Sequence, residues 1–281
     1  MLTAKMPKPS RSATFRHQVL SSSMQYYARR AYYLDILSQR QPLDKETRRE
    51  LGFLEYAFRK KASRRVSRIL DVACGGGRHI VSLAQKGYQC TGQDYTAERV
   101  EMAKSRAARH NVSVELKRGD ATKLGYENQF DAVEALNILF LLPSDEDVEK
   151  CIAGAYRALK PGGVLVCNVY NAFGPEARKL TNHENIVEDR RGRGIRITRI
   201  EKLEEFDPVV GAGWIHTTDS IEAPDGHHVL HDKEWFRLFT YRDIAHYLKN
   251  ANFKTISHYT DWKTKPVKKP VAEQIIFIAR K

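Results

Sequence analysis

The stretch "ILDVACGGGRHI" (residues 69–80) joins a short apolar run to a helix-like segment through three consecutive glycines. Ile69, Leu70 and Val72 are typical of a buried strand, since short aliphatic runs bounded by turn residues often form one. The glycines at 75–77 allow the backbone to turn tightly and to approach a ligand, because no Cβ stands in the way. The stretch therefore predicts a strand, a ligand-binding turn and a helix.

Strand-like and helix-like segments alternate from this point towards residue 170. The strand-like segments are "RILDVA", "YQCTGQD", "VSVELKRGD", "FDAVEALNIL" and "VLVCNVY". Such alternation predicts parallel strands joined by right-handed helical crossovers. Near the C-terminus, "KTISHYTDW" and "EQIIFIARK" predict a closing pair of strands. We therefore expect an α/β fold with a doubly wound, seven-stranded mixed sheet.

The chain divides into four predicted parts. Residues 1–20 predict a basic, flexible tail, and residues 21–62 carry apolar residues at helical spacing that predict two N-terminal helices forming a lid. Residues 175–239 alternate with period two, which predicts an antiparallel β insert after the fifth strand. Residues 63–174 and 240–281 are expected to form the ligand-binding core.

The composition excludes several classes of protein. With 42% hydrophobic residues, the 281-residue chain is not expected to be disordered. The longest apolar stretch, "ALNILFLL" (135–142), is far shorter than the roughly 20 residues that a membrane span requires, so we expect no span. The four cysteines form no CxxC pair, so neither a disulfide framework nor a zinc site is indicated.

The distribution of charge along the chain bears on the cellular compartment of the protein and on its binding partners. The net charge of +13 makes contact with nucleic acid possible, although it is not the favoured interpretation. The first 34 residues contain six basic and no acidic residues. This composition favours a solvated tail on a cytoplasmic protein, with a mitochondrial transit peptide as the alternative. No feature of the sequence sets an oligomeric state.

Three acidic residues end the first three predicted strands. They are Asp71, Asp94 and Asp120, and Asp94 follows Gly75 by 19 residues. Because ligands of open α/β sheets bind beyond the carboxyl ends of the strands, these acids are expected at one rim. An acid before the glycine loop would repel the diphosphate of a dinucleotide, which disfavours a dehydrogenase. It suits a cationic ligand instead.

At these residues the chain resembles the class I S-adenosylmethionine-dependent methyltransferases. "LDVACGGGRH" is similar to the glycine-rich first motif of that family, and "CTGQDYT", "KRGDATKL", "FDAVEALNILFLL" and "ALKPGGVLVCNV" resemble its later motifs in order. The similarity spans roughly residues 68–170. It implies a Rossmann-like methyltransferase core and S-adenosylmethionine as the cofactor.

The resemblance also implies roles for individual residues. The loop from Ala73 to Gly77 would hold the methionine part of the cofactor, Asp94 the ribose hydroxyls, and Asp120 the adenine amine. Altogether it implies a cofactor site of Asp71, Ala73, Gly75, Gly77, Asp94, Tyr95, Asp120, Ala121, Leu136 and Tyr33.

A second similarity concerns the acceptor of the methyl group. "AYYLDIL", the β insert and "WFRLFTYRDIAHYLKNANF" resemble the small-molecule branch that includes sugar-amine and glycine N-methyltransferases. In that branch the N-terminal helix and the insert close over a small-molecule acceptor. The resemblance implies that Asn137 lies on the methyl side of the site, and Arg237 and Trp235, which share one predicted strand face, are further candidates to contact the substrate.

Methyl transfer is an in-line displacement, so alignment of the reacting atoms and exclusion of water are the main requirements. A base is needed only where the acceptor must lose a proton first. The candidates are His216, His228, His231 and Tyr170. The histidines of "HHVLH" lack a cysteine or carboxylate cluster beside them, so we expect no metal site.

Two alternatives remain open. The arginine-rich segment 188–199 of the insert suits an RNA or protein methyltransferase, although a solvated strand face explains it as well. The second basic run, 59–68, is expected at the rim opposite the cofactor. A chain that keeps the fold only as a binding partner is the other alternative. For Arg237, a grip on an acceptor anion and stacking on Trp235 are equally supported.

Overall fold

The computed structural model describes residues 13–38, 45–175, 177–178, 186–192, 194–265 and 272–281. Its helices are α1 (Ala13–Ser38), α2 (Lys45–Lys60), α3 (Arg78–Gln85), α4 (Ala97–Arg109), α5 (Asp145–Ala158) and α6 (Tyr241–Asn250). Its strands are β1 (Arg68–Val72), β2 (Gln89–Asp94), β3 (Glu115–Arg118), β4 (Phe130–Ala135), β5 (Leu159–Tyr170), β6 (Ile186–Gly192), β7 (Ile195–Asp207), β8 (Ala212–Ala223), β9 (Gly226–Arg237), β10 (Thr255–Thr260) and β11 (Gln274–Arg280).

The main sheet has seven strands in the order β10-β11-β5-β4-β1-β2-β3. Strands β1 to β5 are parallel, whereas β11 runs antiparallel to β5 and β10 antiparallel to β11. The predicted doubly wound, mixed sheet is therefore confirmed. Strand order reverses between β1 and β4, and this reversal opens a crevice beyond their carboxyl ends.

Apolar residues cover both faces of this sheet. Consecutive residues of β1 point to opposite faces, so that Leu70 joins a cluster with α5 and α6 while Ile69 joins another with α2 and α3. Cys90 and Cys167 are buried in these clusters. In the part of the chain that the structure describes, no helix is long and apolar enough to cross a membrane.

Strand β4 is shorter than the sequence predicted. The apolar pattern continues to residue 139, yet the strand ends at Ala135. Asn137 has a positive φ of 55°, which extended backbone cannot accommodate, and a 3₁₀ turn follows at Leu139–Leu141. The change of direction carries Leu136 and Asn137 to the rim of the crevice.

Strands β6 to β9 form a separate four-stranded sheet between β5 and α6. All of its strand pairs are antiparallel, which confirms the predicted antiparallel insert after the fifth strand. Residues 179–185, at the start of the predicted insert, lie outside the described residues. Strand β9 is at the edge of this sheet, and α1 packs along it.

Helix α1 begins earlier than the sequence predicted. Residues 13–20, expected to belong to a flexible tail, are helical. The ring centroids of Phe15 and Trp235 are 5.0 Å apart, and Val19 is fully buried beside them. Burial of these two side chains against a distant strand stabilises helical turns that composition alone does not favour. Residues 1–12 lie outside the described residues.

A buried arginine fixes α1 to the insert. The side chain of Arg30 is 1% exposed and forms ion pairs with Asp219 on β8 and Asp232 on β9, the latter at 2.7 Å. Its guanidinium also donates to the carbonyl oxygen of Tyr26 and lies 4.0 Å from the centroid of that ring. These contacts join residues about 190 to 200 positions apart.

We expect Arg30→Met to lower the free energy of unfolding by about 3 kcal/mol, because it removes one partner of buried ion pairs. The matched control is Arg29→Met, since Arg29 pairs with Asp232 from a more exposed position. The control should cost at most about 1 kcal/mol. Urea unfolding of both variants measures the difference, and equal values would contradict the assignment of Arg30 as the anchor.

Candidate functional site

A cavity of about 840 Å³ lies at the crevice, beyond the carboxyl ends of the parallel strands. The glycine loop, α1, the start of α4 and the insert contribute to its wall. The lining includes Leu20, Met24, Tyr26, Tyr27, Asp71, Ala73, Gly75, Asp94, Tyr95, Arg99, Ala121, Leu136, Asn137, Ile138, Leu141, Leu142, Arg191 and Arg199. Eight residues predicted from the sequence are therefore brought together, and α1 closes over them.

The loop between β1 and α3 turns through left-handed backbone positions. Ala73, Gly75 and Gly77 have φ values of 62°, 53° and 78°. Two hydrogen bonds fix the turn: the N–H of Cys74 donates to the carbonyl oxygen of Gln93, and that of Gly77 to the carbonyl oxygen of Cys74, each at 2.9 Å. The predicted tight turn is confirmed.

The glycines make room for α4. A Cβ at Gly75 or Gly76 would overlap the side chain of Arg99 or Met102, and one at Gly77 would lie 3.0 Å from the Cβ of Ala103. From the sequence, the glycines were expected to make room for a ligand. In the structure, residues of α4 occupy the space that their Cβ atoms would need. Gly77 is consequently a packing residue outside the cavity lining.

Asp94 holds the loop in place from the end of β2. One carboxylate oxygen accepts from the N–H of Gly75 and the other from the N–H of Thr96, both at 2.9 Å. A carboxylate offers about four lone-pair positions, so two remain for a ligand in the cavity that Asp94 lines. The side chain is thus suited to a pair of hydroxyl groups.

Asp71 lies against a second carboxyl group that the sequence analysis did not identify. Asp71 on β1 is in register with Glu134 on β4, and the two residues are 3% and 0% exposed. Burial and the charge of Asp94 raise the pKa of Asp71 well above its usual value. Burial and the charge of Asp71 raise the pKa of Glu134 in the same direction. The signal in the sequence was an acidic residue, Glu134, directly after the apolar residues Ala132 and Val133 of β4.

Asp120 is engaged by α1. Its carboxylate accepts from Arg16 Nη2 at 2.9 Å and from the N–H and hydroxyl of Thr122. Burial would raise the pKa of Asp120, but the hydrogen bonds from Thr122 and Arg16 outweigh it and lower the pKa. Asp120 was predicted to face the ligand; the neighbouring Ala121 lines the cavity instead.

The other end of the cavity is formed after β4. Leu136 and Asn137 both line it, as predicted. Asn168 fixes Asn137, because its side-chain oxygen accepts from the N–H of Asn137 and its amide donates to Asn137 Oδ1, both at 2.8 Å. Tyr170 lies outside the lining, with its ring centroid 4.8 Å from that of Phe140. It was predicted as a base, and the structure instead places it in an aromatic cluster.

The tyrosines at the cavity differ from the one predicted. Tyr33 faces His228 of the insert, with ring centroids 5.7 Å apart, and lies outside the cavity lining. Tyr26 and Tyr27, about two helical turns earlier on α1, line the cavity. The spacing of the aromatic residues gave no reason to prefer the earlier pair, because the docking angle of α1 decides which tyrosines point inwards.

Tyr27 connects the cavity to a carboxyl group on the insert. Glu234 of β9 faces its hydroxyl, and the guanidinium of Arg99 lies 5.1 Å from the centroid of its ring. Burial and the charge of Glu234 raise the pKa of Tyr27 well above 10. Burial, supported by Glu201, raises the pKa of Glu234 to about 8. Tyr27 is therefore a neutral phenol backed by a titratable carboxyl group.

The three histidines predicted as bases lie outside the cavity lining. His231 is bonded to the hydroxyl of Thr218 at 3.1 Å, and His216, two residues before Thr218 on β8, lies on the same face of the insert. His228 lies 3.2 Å from a carboxylate oxygen of Asp225 at the β8–β9 turn. The sequence showed histidines on strands, but only the packing of the sheet determines which face meets the cavity.

The substrate roles predicted for Trp235 and Arg237 are also not supported. Trp235 is covered by Phe15, and the guanidinium of Arg237 pairs with Asp145 and lies 4.9 Å from the ring centroid of Phe239. Arg237 therefore neither stacks on Trp235 nor faces the cavity. Both side chains join the insert to neighbouring helices.

Comparison with known proteins identifies the domain around the cavity. Residues 69–163 match the family model described as a methyltransferase domain. A putative methyltransferase of Bacillus subtilis (strain 168) is 34% identical over 107 residues, which are 38% of this chain and 43% of that protein. The chain thus spans less than half the length of this curated relative.

Two solved structures share the fold over most of the chain. An S-adenosylmethionine-dependent methyltransferase from Clostridium acetobutylicum ATCC 824 has a TM-score of 0.70 at 17% identity, covering 91% of this chain and 98% of that one. The sugar N-methyltransferase KedS8 from Streptoalloteichus has a TM-score of 0.59 at 16% identity, covering 100% and 99%. At these identities the two structures establish the fold.

The residues of the cavity fit S-adenosylmethionine. The left-handed loop at residues 73–77 is shaped by α4, Asp94 retains acceptor positions for two hydroxyls, and Asp71 offers a carboxyl group to a cation. Leu136 supplies an apolar wall. These side chains would hold the nucleoside and amino-acid parts of the cofactor at opposite ends of the loop.

We expect Asp94→Ala to weaken binding of S-adenosylmethionine at least tenfold, about 1.4 kcal/mol, because both the hydroxyl acceptor and the anchor of Gly75 are lost. Calorimetric titration measures the dissociation constant. The control is Asp225→Ala at the exposed β8–β9 turn, which should bind as the wild type does. An unchanged constant for Asp94→Ala would refute the assigned role.

Proposed function

Because residues 69–163 form a class I S-adenosylmethionine-dependent methyltransferase domain, we propose that this chain methylates a nitrogen or oxygen atom of a small molecule. The observation that carries the proposal is the cavity of about 840 Å³, which α1 and the insert cover. Pockets for small ligands measure about 300–1,000 Å³, so this one suits a cofactor and a compact acceptor. The likeness in fold to a sugar N-methyltransferase over the whole chain supports the same acceptor class.

When bound, S-adenosylmethionine supplies a methyl group on a positively charged sulfur. The residues of this chain would align an acceptor with that group and exclude water. Leu136, Leu141 and Leu142 form an apolar wall at the acceptor end of the cavity. Asn137 offers a polar group whose orientation Asn168 fixes.

Tyr27 is the residue that we propose to handle the acceptor proton. Its hydroxyl would accept the proton that the acceptor loses, while its own proton passes to the carboxylate of Glu234, which faces it from β9. Arg199, which lines the cavity, and Glu201 also face Glu234 from β7, and Arg30 faces it from α1. The relay requires Glu234 to be ionised, so its efficiency should rise with pH through about 8.

A second candidate acceptor is RNA, because Arg191 and Arg199 of the arginine-rich insert reach the cavity. Each of these arginines already pairs with a carboxylate of the same sheet, Asp189 or Asp219. Their charge is therefore largely compensated, which favours the small molecule.

The test is transfer of a labelled methyl group from S-adenosylmethionine. Three pools are offered separately: a panel of amino sugars, other amines and phenols; total RNA; and total protein. We expect label in the small-molecule pool. Label in RNA that decreases steeply with salt would support the second candidate. Absence of binding to the cofactor would favour a non-catalytic partner protein.

On an acceptor from that panel, we expect Tyr27→Phe to lower kcat at least tenfold, since the hydroxyl that receives the proton is lost. Tyr33→Phe, on the same helix but outside the cavity, is the control and should retain wild-type kcat. The rate of the wild type should rise between pH 7 and 9, and Glu234→Gln should flatten this rise. A pH profile that Glu234→Gln leaves unchanged would exclude the relay.

A further inference from the structure

We propose that Asp71 and Glu134 hold one proton between them and release it when the cationic amino-acid end of the cofactor binds. Glu134 then sets the pH dependence of cofactor affinity. The inference rests on the cofactor assignment of the proposed function but is independent of the methyl acceptor.

The pairing of strands β1 and β4 makes the two carboxyl groups neighbours. Asp71 and Glu134 are directly opposite in the parallel pairing of β1 and β4, at the point where strand order reverses. Both side chains are buried, with exposures of 3% and 0%. Two carboxylates in such a position repel each other in a medium that screens charge poorly.

Glu134 has no hydrogen-bond donor among the described residues. Both of its carboxyl oxygens are buried, and neither accepts a hydrogen bond from an N–H or O–H group in the described part of the chain. A buried carboxylate without a donor is strongly unfavourable, whereas a shared proton allows one carboxyl to donate to the other. Geometry therefore requires the pair to carry a proton when the cavity holds no cation.

The charged groups around Asp71 and Glu134 either pair with other residues or disfavour ionisation of the two carboxyl groups. Arg78 faces both carboxyls from α3 but forms an ion pair with Glu50 of α2. His79 lies 4.0 Å from Glu134 and 2.9 Å from the same Glu50. Asp94 faces Asp71 from β2 and disfavours its ionisation. The pair thus lacks a full positive countercharge.

The cavity can supply that countercharge. Asp71 is part of its lining, whereas Glu134, beside Asp71 on β4, is outside it. An ammonium group placed at Asp71 stabilises the ionised form of the pair. The shared O–H bond then breaks, the proton passes to solvent, and both carboxylates remain with the bound cation beside them.

Calorimetry in two buffers tests this release directly. Titrations at pH 6.5, where an α-amino group of ordinary pKa is protonated, are made in PIPES and in imidazole, which differ in ionisation enthalpy. S-adenosylmethionine and its demethylated product should each release up to about one proton, because both carry the amino-acid end. 5′-Methylthioadenosine, a thioether nucleoside without that end, should release none.

Glu134→Gln is the decisive variant. The amide can donate to Asp71 and keep it ionised, so proton release on binding should disappear. Between pH 7.5 and 6, the dissociation constant of the wild type for the demethylated product should rise up to about tenfold per pH unit, and that of the variant should stay nearly constant. Glu115→Gln, on the exposed side of β3, is the control and should behave as the wild type.

The outcomes separate this inference from the proposed function. No binding of either cofactor form would overturn the proposed function. Binding with equal enthalpy in both buffers would overturn the shared proton alone, as would equal release by 5′-methylthioadenosine. If Glu134→Gln does not fold, the comparison of the three ligands on the wild type still decides.

Discussion

A carboxylate removed from water needs a donor or a cation, and this requirement organises the molecule. Parallel strands bring their carboxyl ends, and the acids on them, to one rim. Asp94 is compensated by the two backbone N–H groups that it fixes, and Asp120 by Arg16 and Thr122. Asp71 faces another acid, Glu134, across the strand pair, and Arg78, which faces both, is ion-paired with Glu50. The position left without compensation is the one that the cavity exposes to a cationic ligand.

The same requirement explains how α1 is held. Arg16 joins the start of the helix to the core through Asp120 and Asp147, and Arg30 joins its middle to the insert through Asp219 and Asp232. Between these two ion-paired positions lie Tyr26 and Tyr27, which reach the cavity. Helix α1 thus contacts the core, the cavity and the insert. Its position therefore sets the volume that the cavity offers to a ligand.

The glycine loop illustrates how one motif serves two purposes. Its left-handed turn directs Asp71 and the loop backbone to the cavity, while the absent side chains allow α4 to approach. Arg99, which fills the space beside Gly75, also lies over the ring of Tyr27. Through Arg99, α4 therefore contacts both the glycine loop and Tyr27, the residue proposed to handle the acceptor proton.

The sequence by itself determined the alternation of strands and helices, the antiparallel insert and the loop from Ala73 to Gly77, because these depend on local periodicity and on backbone freedom. It also located Asp71 and Asp94, since strand ends can be found from the pattern alone. It misplaced the tyrosine, the histidines and Arg237. Which face of α1 or of the insert meets the cavity is decided by contacts between residues about 200 positions apart, such as Arg30 with Asp232. The pairing of Asp71 with Glu134 likewise exists only once β1 and β4 lie side by side.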